Sequence, residues 1–335
     1  MDSVSRRQGM PHVPDPPPVM EDSPSNPSAR LPWWRRLLPP LIAVVLVVLL
    51  LWTLDLHAFV QHLRSVNYPG FLAFCLVFSL LLLASDSLAT SFVYSRAVCP
   101  LRFREFFLIR GASYLPSMLN HHIGQAWVTW YVSRVYRAPL WRVTGATLLV
   151  YGTTFGCLLV FGGISLLLDR SAAPWLLPLL AIAGTAGVGY LATIAIKPAF
   201  LAKRQVLAPL FEVGVMGHLA AFALRFPHVL VLFLGSWLPF RFFGVDIPPA
   251  AAFAYIPVLM VVAVLPITPQ AVGTRDWFSR HYFSQFAAGT SAEQEASVAA
   301  ATLTYAAALS VLQAVFALLL MHRALRVLRQ TKDQP

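Results

Sequence analysis

The chain has 335 residues, of which 58% are hydrophobic and only 12% are charged, and its mean hydropathy is +0.67. Soluble domains usually carry about 25% charged residues, so this composition excludes an ordinary soluble enzyme and indicates a protein that crosses a membrane several times. The net charge of +11 fits the excess of Lys and Arg in the cytoplasmic loops of membrane proteins. Nucleic-acid binding is not expected, because no basic patch lies on a soluble fold.

The three cysteines are Cys75, Cys99 and Cys157. They are scattered and odd in number, so they form neither a metal-binding spacing nor a disulfide framework. We therefore expect no metal and no cofactor.

The ends of the chain differ from its middle in composition. Residues 1–36 are rich in Pro, Ser and acidic residues, which predicts a disordered cytoplasmic tail. A membrane domain is expected over residues 37–325, followed by a basic cytoplasmic tail at 326–335. Arginines before the first apolar run place the N-terminus inside, and those after the last run place the C-terminus inside as well.

Long apolar runs predict an all-α, polytopic fold with about six full transmembrane helices. Clear spans are predicted at 37–56, 69–95, 143–168, 174–196 and about 296–321. Residues 57–68 are interpreted as a short external connection. Residues 205–243 are interpreted as an interfacial amphipathic helix up to about residue 226, followed by one span, with a tight helical hairpin as the alternative. The expected location is a bacterial inner membrane.

Two further apolar segments are interrupted by proline and glycine: "YLPSMLNHHIGQAWVTWYVSRVY" at 114–136 and "AVLPITPQAVGTRDWFSRHY" at 263–282. Each contains Leu-Pro, then Gly, then Trp, and ends in Ser-Arg-x-Tyr. Proline removes a backbone donor and glycine allows unusual dihedral angles, so both segments predict re-entrant, broken helices. Interrupted segments in two halves of a membrane protein indicate a transporter binding site, and we interpret them as candidate inverted repeats, with chance similarity as the alternative.

The motifs of these two segments resemble the two signature regions of the lysylphosphatidylglycerol synthase transmembrane-domain family, which comprises flippase-like integral membrane proteins. The matching residues are Asn120, Gly124, Gln125, Pro266, Pro269, Gly273 and Asp276. The chain departs from the family pattern at Gln270-Ala271, where the family has Gly-Gly, and at Asp276, where it has Glu. The resemblance covers roughly residues 37–325.

The resemblance implies a role in lipid handling. Family members that are fused to a soluble aminoacyltransferase domain make and translocate aminoacylated phosphatidylglycerol. This chain shows no such domain, so the expectation is a non-enzymatic protein that binds or translocates an anionic phospholipid or a lipid-linked head group. The alternatives are an accessory protein that presents a lipid to a glycosyltransferase or acyltransferase, and an intramembrane lipid-modifying enzyme. The sequence does not determine the oligomeric state.

The candidate substrate-binding residues lie in the two broken segments. They are Asn120, His121, His122, Gly124, Gln125, Pro266, Pro269, Gly273, Arg275 and Asp276. Arg275 could contact a lipid phosphate, because a guanidinium group matches phosphate oxygens; the alternative is a local ion pair between Arg275 and Asp276. The two histidines could contact a head group or take part in a proton-coupled step, or they could simply pack the broken loop.

Other charged residues are also candidates. Asp86 lies within a predicted span, where a carboxylate is costly and usually functional, and its candidate roles are proton coupling or pairing with Arg110. Arg134 and Arg280 occupy equivalent positions in the apparent repeat. They could contact lipid phosphates, either specifically or by non-specific snorkelling.

Overall fold

The computed structural model describes residues 55–171, 173–264 and 274–332. The described part is built from α-helices, which confirms the all-α prediction. In chain order the helices are α1 (Leu56–Ser65), α2 (Tyr68–Ala97), α3 (Phe103–Ala112), α4 (Tyr114–Leu119), α5 (His121–Val135), α6 (Leu140–Leu168), α7 (Leu176–Ile196), α8 (Ala199–Ala202), α9 (Ala208–Trp237), α10 (Pro249–Val264), α11 (Thr274–Phe283) and α12 (Ser291–Lys332). Short 3₁₀ turns follow α9 and α11.

Five of the described helices, α2, α6, α7, α9 and α12, are long and apolar enough to cross a membrane. Four of these match the predicted spans at 69–95, 143–168, 174–196 and 296–321 in position. The predicted first span, 37–56, lies almost wholly outside the described residues. The prediction of a helical membrane protein is therefore confirmed, whereas the number of spans stays a prediction.

The region 205–243 differs from its prediction. Residues Ala208 to Trp237 form α9, two helical stretches joined at Gly214, and α9 continues into the 3₁₀ turn, so the break near residue 226 that an interfacial helix or a hairpin requires is absent from this region. Gly214 kinks it with φ of 65°, a conformation that glycine adopts without steric cost. The nearby His218 ring contacts the Gly214 carbonyl oxygen at 2.7 Å and so adds a side-chain contact at the kink.

Two other boundaries also differ. The predicted external connection at 57–68 contains α1, because the Asp55 carboxylate accepts the backbone N–H groups of His57 and Ala58 at 2.9 and 3.0 Å and caps a helix. Helix α12 is longer than its predicted span and includes most of the basic segment after residue 321. Basic residues at the C-terminal end favour this continuation, because they interact well with the helix dipole.

The buried apolar residues form two main clusters, and both draw on the five long helices α2, α6, α7, α9 and α12. The first cluster includes Phe71 and Phe78 of α2 and Phe233 of α9. The second includes Tyr94 of α2 and Ala221 of α9. The stretch of α2 and α9 between the two clusters is therefore where polar side chains meet in the protein interior.

Candidate functional site

A buried ionic group lies between the two apolar clusters and joins α2, α3 and α9. Asp86 of α2 accepts Nε of Arg110 on its Oδ2 atom and Nη1 of Arg225 on its Oδ1 atom, both at 2.5 Å. Arg225 also donates through Nη2 to Thr90 Oγ1 at 2.7 Å, and Thr90 donates to Asp86 at 3.2 Å. With both guanidinium groups charged, the Asp86 carboxylate neutralises only one of them, so this group of three charges carries a net positive charge.

The two arginines are not equivalent. The side chain of Arg225 is 1% exposed, whereas that of Arg110 is 14% exposed. Arg225 is held by both Asp86 and Thr90, while Arg110 has one short contact with Asp86 and one long contact with Gln125. Arg110 is therefore the cation that a ligand can reach and the one that can exchange partners.

Gln125 brings the first broken segment to this group. Its Oε1 atom lies 3.4 Å from Nη1 of Arg110, and its Nε2 atom is buried without a hydrogen-bond partner. A buried amide nitrogen without a partner is unfavourable by about 1–3 kcal/mol. Gln125 thus has an N–H donor without an acceptor among the described residues, and it lies beside the guanidinium group of Arg110.

A chain of hydroxyl groups holds α5 in place beside Gln125. Thr129 donates to the Gln125 carbonyl at 3.0 Å, and its hydroxyl lies 3.2 Å from that of Thr147 on α6. The Thr147 hydroxyl in turn lies 2.7 Å from the hydroxyl of Tyr94 on α2. These buried contacts fix α5 against α2 and α6 and so fix the position of Gln125.

The remaining predicted residues of the first segment shape its exposed end. Asn120 has an extended backbone, separates α4 from α5, and caps α5 by accepting the N–H of His122 at 2.8 Å. His121 and His122 are exposed, and the His121 ring faces Tyr151 at 6.4 Å between ring centroids. A Cβ atom at Gly124 would lie 1.7 Å from Ser117 Oγ, so only glycine permits this approach of α5 to α4.

The cap predicts how Asn120 variants behave. Asn120→Ala should lower the unfolding free energy by about 1 kcal/mol, since it removes an N-cap. Asn120→Asp should keep the stability, since Asp caps as well as Asn does. Thermal unfolding of the two variants in detergent checks this expectation, and equal stability of wild type and Asn120→Ala would contradict it.

The second broken segment is only partly described. Pro266, Pro269 and Gly273 lie outside the described residues. Asp276 is buried at 4% exposure. Arg275 faces a small cavity and donates through Nη2 to the Thr302 carbonyl at 3.3 Å.

Arg134 and Arg280, which occupy equivalent positions in the apparent repeat, differ in exposure and in partners. Arg280 forms an ion pair with Glu295 at 3.2 Å, whereas Arg134 is exposed in the last turn of α5. The two positions therefore have different environments.

The cavity at Arg275 is not lined by any described residue of the first broken segment. The cavity at Arg275 is lined by Gly235 of α9, whereas Arg225 of the ionic group lies ten residues earlier on that helix. At 1.5 Å per residue the two positions are roughly 15 Å apart along the axis. The structure thus brings Asp86, Arg110 and Gln125 together and places Arg275 elsewhere.

Sequence reasoning missed Arg225, Thr90 and His228. His228 follows Arg225 by one turn of α9, and its Nδ1 atom lies 3.2 Å from Ser85 Oγ on α2. If 208–237 had been interpreted as a single span, Arg225 and His228 would have been placed deep within it and marked as candidate site residues. Within the described ranges, no group of His, Cys, Asp and Glu could hold a metal ion.

A family model described as the lysylphosphatidylglycerol synthase TM region matches residues 37–312. The chain belongs to the lysylphosphatidylglycerol synthase transmembrane-region family. The match covers all the described site residues, from Asp86 to Asp276, and confirms the family that the two motifs indicated. No curated protein and no solved structure shows significant similarity to the chain. Family and fold together describe a multi-pass membrane protein of a family linked to lipid handling.

Proposed function

We propose that this protein binds the anionic head group of a membrane lipid at Arg110 and moves it across a bacterial inner membrane. The observation that supports this most is the sharing of Asp86 between Arg110 and Arg225. Charged residues within membrane-spanning segments are costly and commonly mark the path of a substrate or an ion. Two cations around one carboxylate favour an anionic substrate.

Arg110 has the properties of a phosphate ligand. Its guanidinium group is the accessible one, and its planar set of donors matches the oxygens of a phosphate group. The unpartnered Nε2 atom of Gln125 supplies a further donor beside it. Asn120 and His121 lie at the exposed end of the same segment, where a head group would enter.

The ionic group also gives a way to take up an anion without leaving a buried charge unpaired. When a phosphate takes over the contacts of Arg110, Asp86 keeps its contacts with Arg225 and Thr90. The added negative charge then balances the net positive charge of the group. The acyl chains stay in the bilayer, since the membrane-length helices expose many large apolar side chains.

Reconstitution into vesicles with a fluorescent anionic phospholipid tests this proposal. In vesicles that contain the wild-type protein, the labelled lipid should move between the outer and inner leaflets faster than in empty vesicles. Binding without transport would favour instead the accessory protein that presents a lipid to an enzyme. Absence of both binding and transport for every anionic lipid class would overturn the proposal.

Arg110 variants test the site itself. Arg110→Gln should slow transport by about ten- to a hundredfold, because a hydrogen bond to a charged group contributes about 1.5–3 kcal/mol. Arg110→Lys should give an intermediate rate, since it keeps the charge but loses the planar set of donors. Arg104→Gln is the matched control: Arg104 is exposed on the same helix, so its loss should leave the rate unchanged. Equal rates for Arg110→Gln and Arg104→Gln would remove Arg110 from the site.

A further inference from the structure

The cavity at Arg275 lies near the C-terminal end of α9, between α11 and α12. Its volume is about 20 Å³, which is room for about one water molecule or one ion of similar size. The polar side chains that line it are Ser236, Arg275, Ser279, Thr302 and Tyr305. It is therefore a separate site from the one at Arg110.

The charge at this cavity is positive. Arg275 lines it and makes one long hydrogen bond, to the Thr302 carbonyl at 3.3 Å. Among the described residues that line the cavity, none is acidic. Arg275 is partly buried, and because charges withdrawn from water are normally paired, its guanidinium group favours an anionic partner.

Two hydroxyl groups at the cavity are buried and unused. Ser279 is 0% exposed and Tyr305 is 6% exposed, and neither Ser279 Oγ nor Tyr305 Oη has a hydrogen-bond partner. A buried polar group without a partner is unfavourable by about 1–3 kcal/mol. An occupant that accepts hydrogen bonds from both hydroxyls would remove this cost.

We propose that the cavity binds one small inorganic anion, such as chloride, through Arg275, Ser279 and Tyr305. A chloride ion accepts hydrogen bonds from several donors and neutralises the guanidinium group, whereas a water molecule would leave that charge in place. Arg275 and Ser279 belong to α11 and Tyr305 belongs to α12. The bound anion thus links the helix that follows the second broken segment to the last helix.

Thermal unfolding of the full chain in detergent tests this site. The reference condition is sodium gluconate, because gluconate is too large for the cavity. Chloride or bromide then replaces gluconate step by step at a constant total sodium concentration. For the wild type, we expect a rise in Tm that saturates with halide concentration, as mass action requires for a ligand of the folded state. Sulfate, inorganic phosphate and phosphatidylglycerol micelles are tested as competing anions and should not reproduce the effect.

Two conservative variants connect the effect to the cavity. Tyr305→Phe and Ser279→Ala each remove one unpartnered hydroxyl, so both should fold, and each should weaken the apparent halide affinity by about tenfold, which corresponds to the loss of one such hydrogen bond. Ser310→Ala is the control, because Ser310 is exposed on α12 and its hydroxyl donates to the Ala306 carbonyl. A halide response that is absent in the wild type, or unchanged in both cavity variants, would overturn the proposal and leave a water molecule as the occupant. Equal stabilisation by phosphate or lipid would overturn the assignment to a small anion.

Discussion

Asp86→Ala should lower the unfolding free energy by about 3–5 kcal/mol, the range observed when one partner of a buried ion pair is removed. The substitution leaves Arg110 and Arg225 facing each other without a counter-ion, and Arg225 is 1% exposed. It also removes the oxygen that accepts the Thr90 hydroxyl. Thermal unfolding in detergent, followed by size-exclusion chromatography of the heated samples, measures the loss.

A surface carboxylate provides the control for this prediction. Asp246 pairs with Arg241 at 3.5 Å, and the two side chains are 78% and 67% exposed. Exposed ion pairs contribute about 0–1 kcal/mol, so Asp246→Ala should change the stability little. Similar losses for Asp86→Ala and Asp246→Ala would show that the buried ionic group does not stabilise the fold.

A double variant separates the charge imbalance from the loss of packing. Adding Arg225→Met to Asp86→Ala removes the second buried charge and keeps an apolar side chain of comparable length. Buried ion pairs replaced by well-packed apolar residues are often neutral in stability, so the double variant should be more stable than Asp86→Ala alone. Its lipid transport should stay low, because the arrangement that holds Arg110 is lost.

Gly145→Ala should destabilise the protein by about 1–3 kcal/mol, the usual range for an overpacked interior. A Cβ atom at Gly145 on α6 would lie 2.0 Å from the backbone carbonyl oxygen of Val206. A carbonyl of the main chain cannot rotate aside as a side chain can, so α6 and the turn before α9 would have to separate. That turn positions the start of the helix that carries Arg225.

Gly152→Ala is the matched control on the same helix. A Cβ atom at Gly152 would meet nothing within 4 Å, and alanine is favoured over glycine inside a helix by about 1 kcal/mol. The two variants should therefore change the melting temperature in opposite directions. A melting temperature for Gly145→Ala at or above that of Gly152→Ala would contradict the close approach.

Much of the fold follows from local sequence. Helix α2 was predicted at 69–95 and extends from Tyr68 to Ala97, because an apolar run of this length has no other stable state in a bilayer. The break between α4 and α5 was also predicted, and Asn120 shows why: its side chain caps the new helix. Helix α9 was not predicted correctly, because Arg225 and His228 reduce the local apolar character and their partners lie on α2, far away in sequence.

The sequence by itself determined the membrane class and the family, predicted a broken segment within 114–136 and marked Asp86 as a candidate. Each of these depends on a local run of residues or on the energetic penalty for one charge in an apolar span. Only the tertiary structure decided that Asp86 is shared by Arg110 and Arg225, that Gln125 joins them, and that Arg275 lines a cavity away from them. Asp86 and Arg225 are 139 positions apart in the chain. Their contact depends on how the helices pack, which a local sequence pattern does not specify.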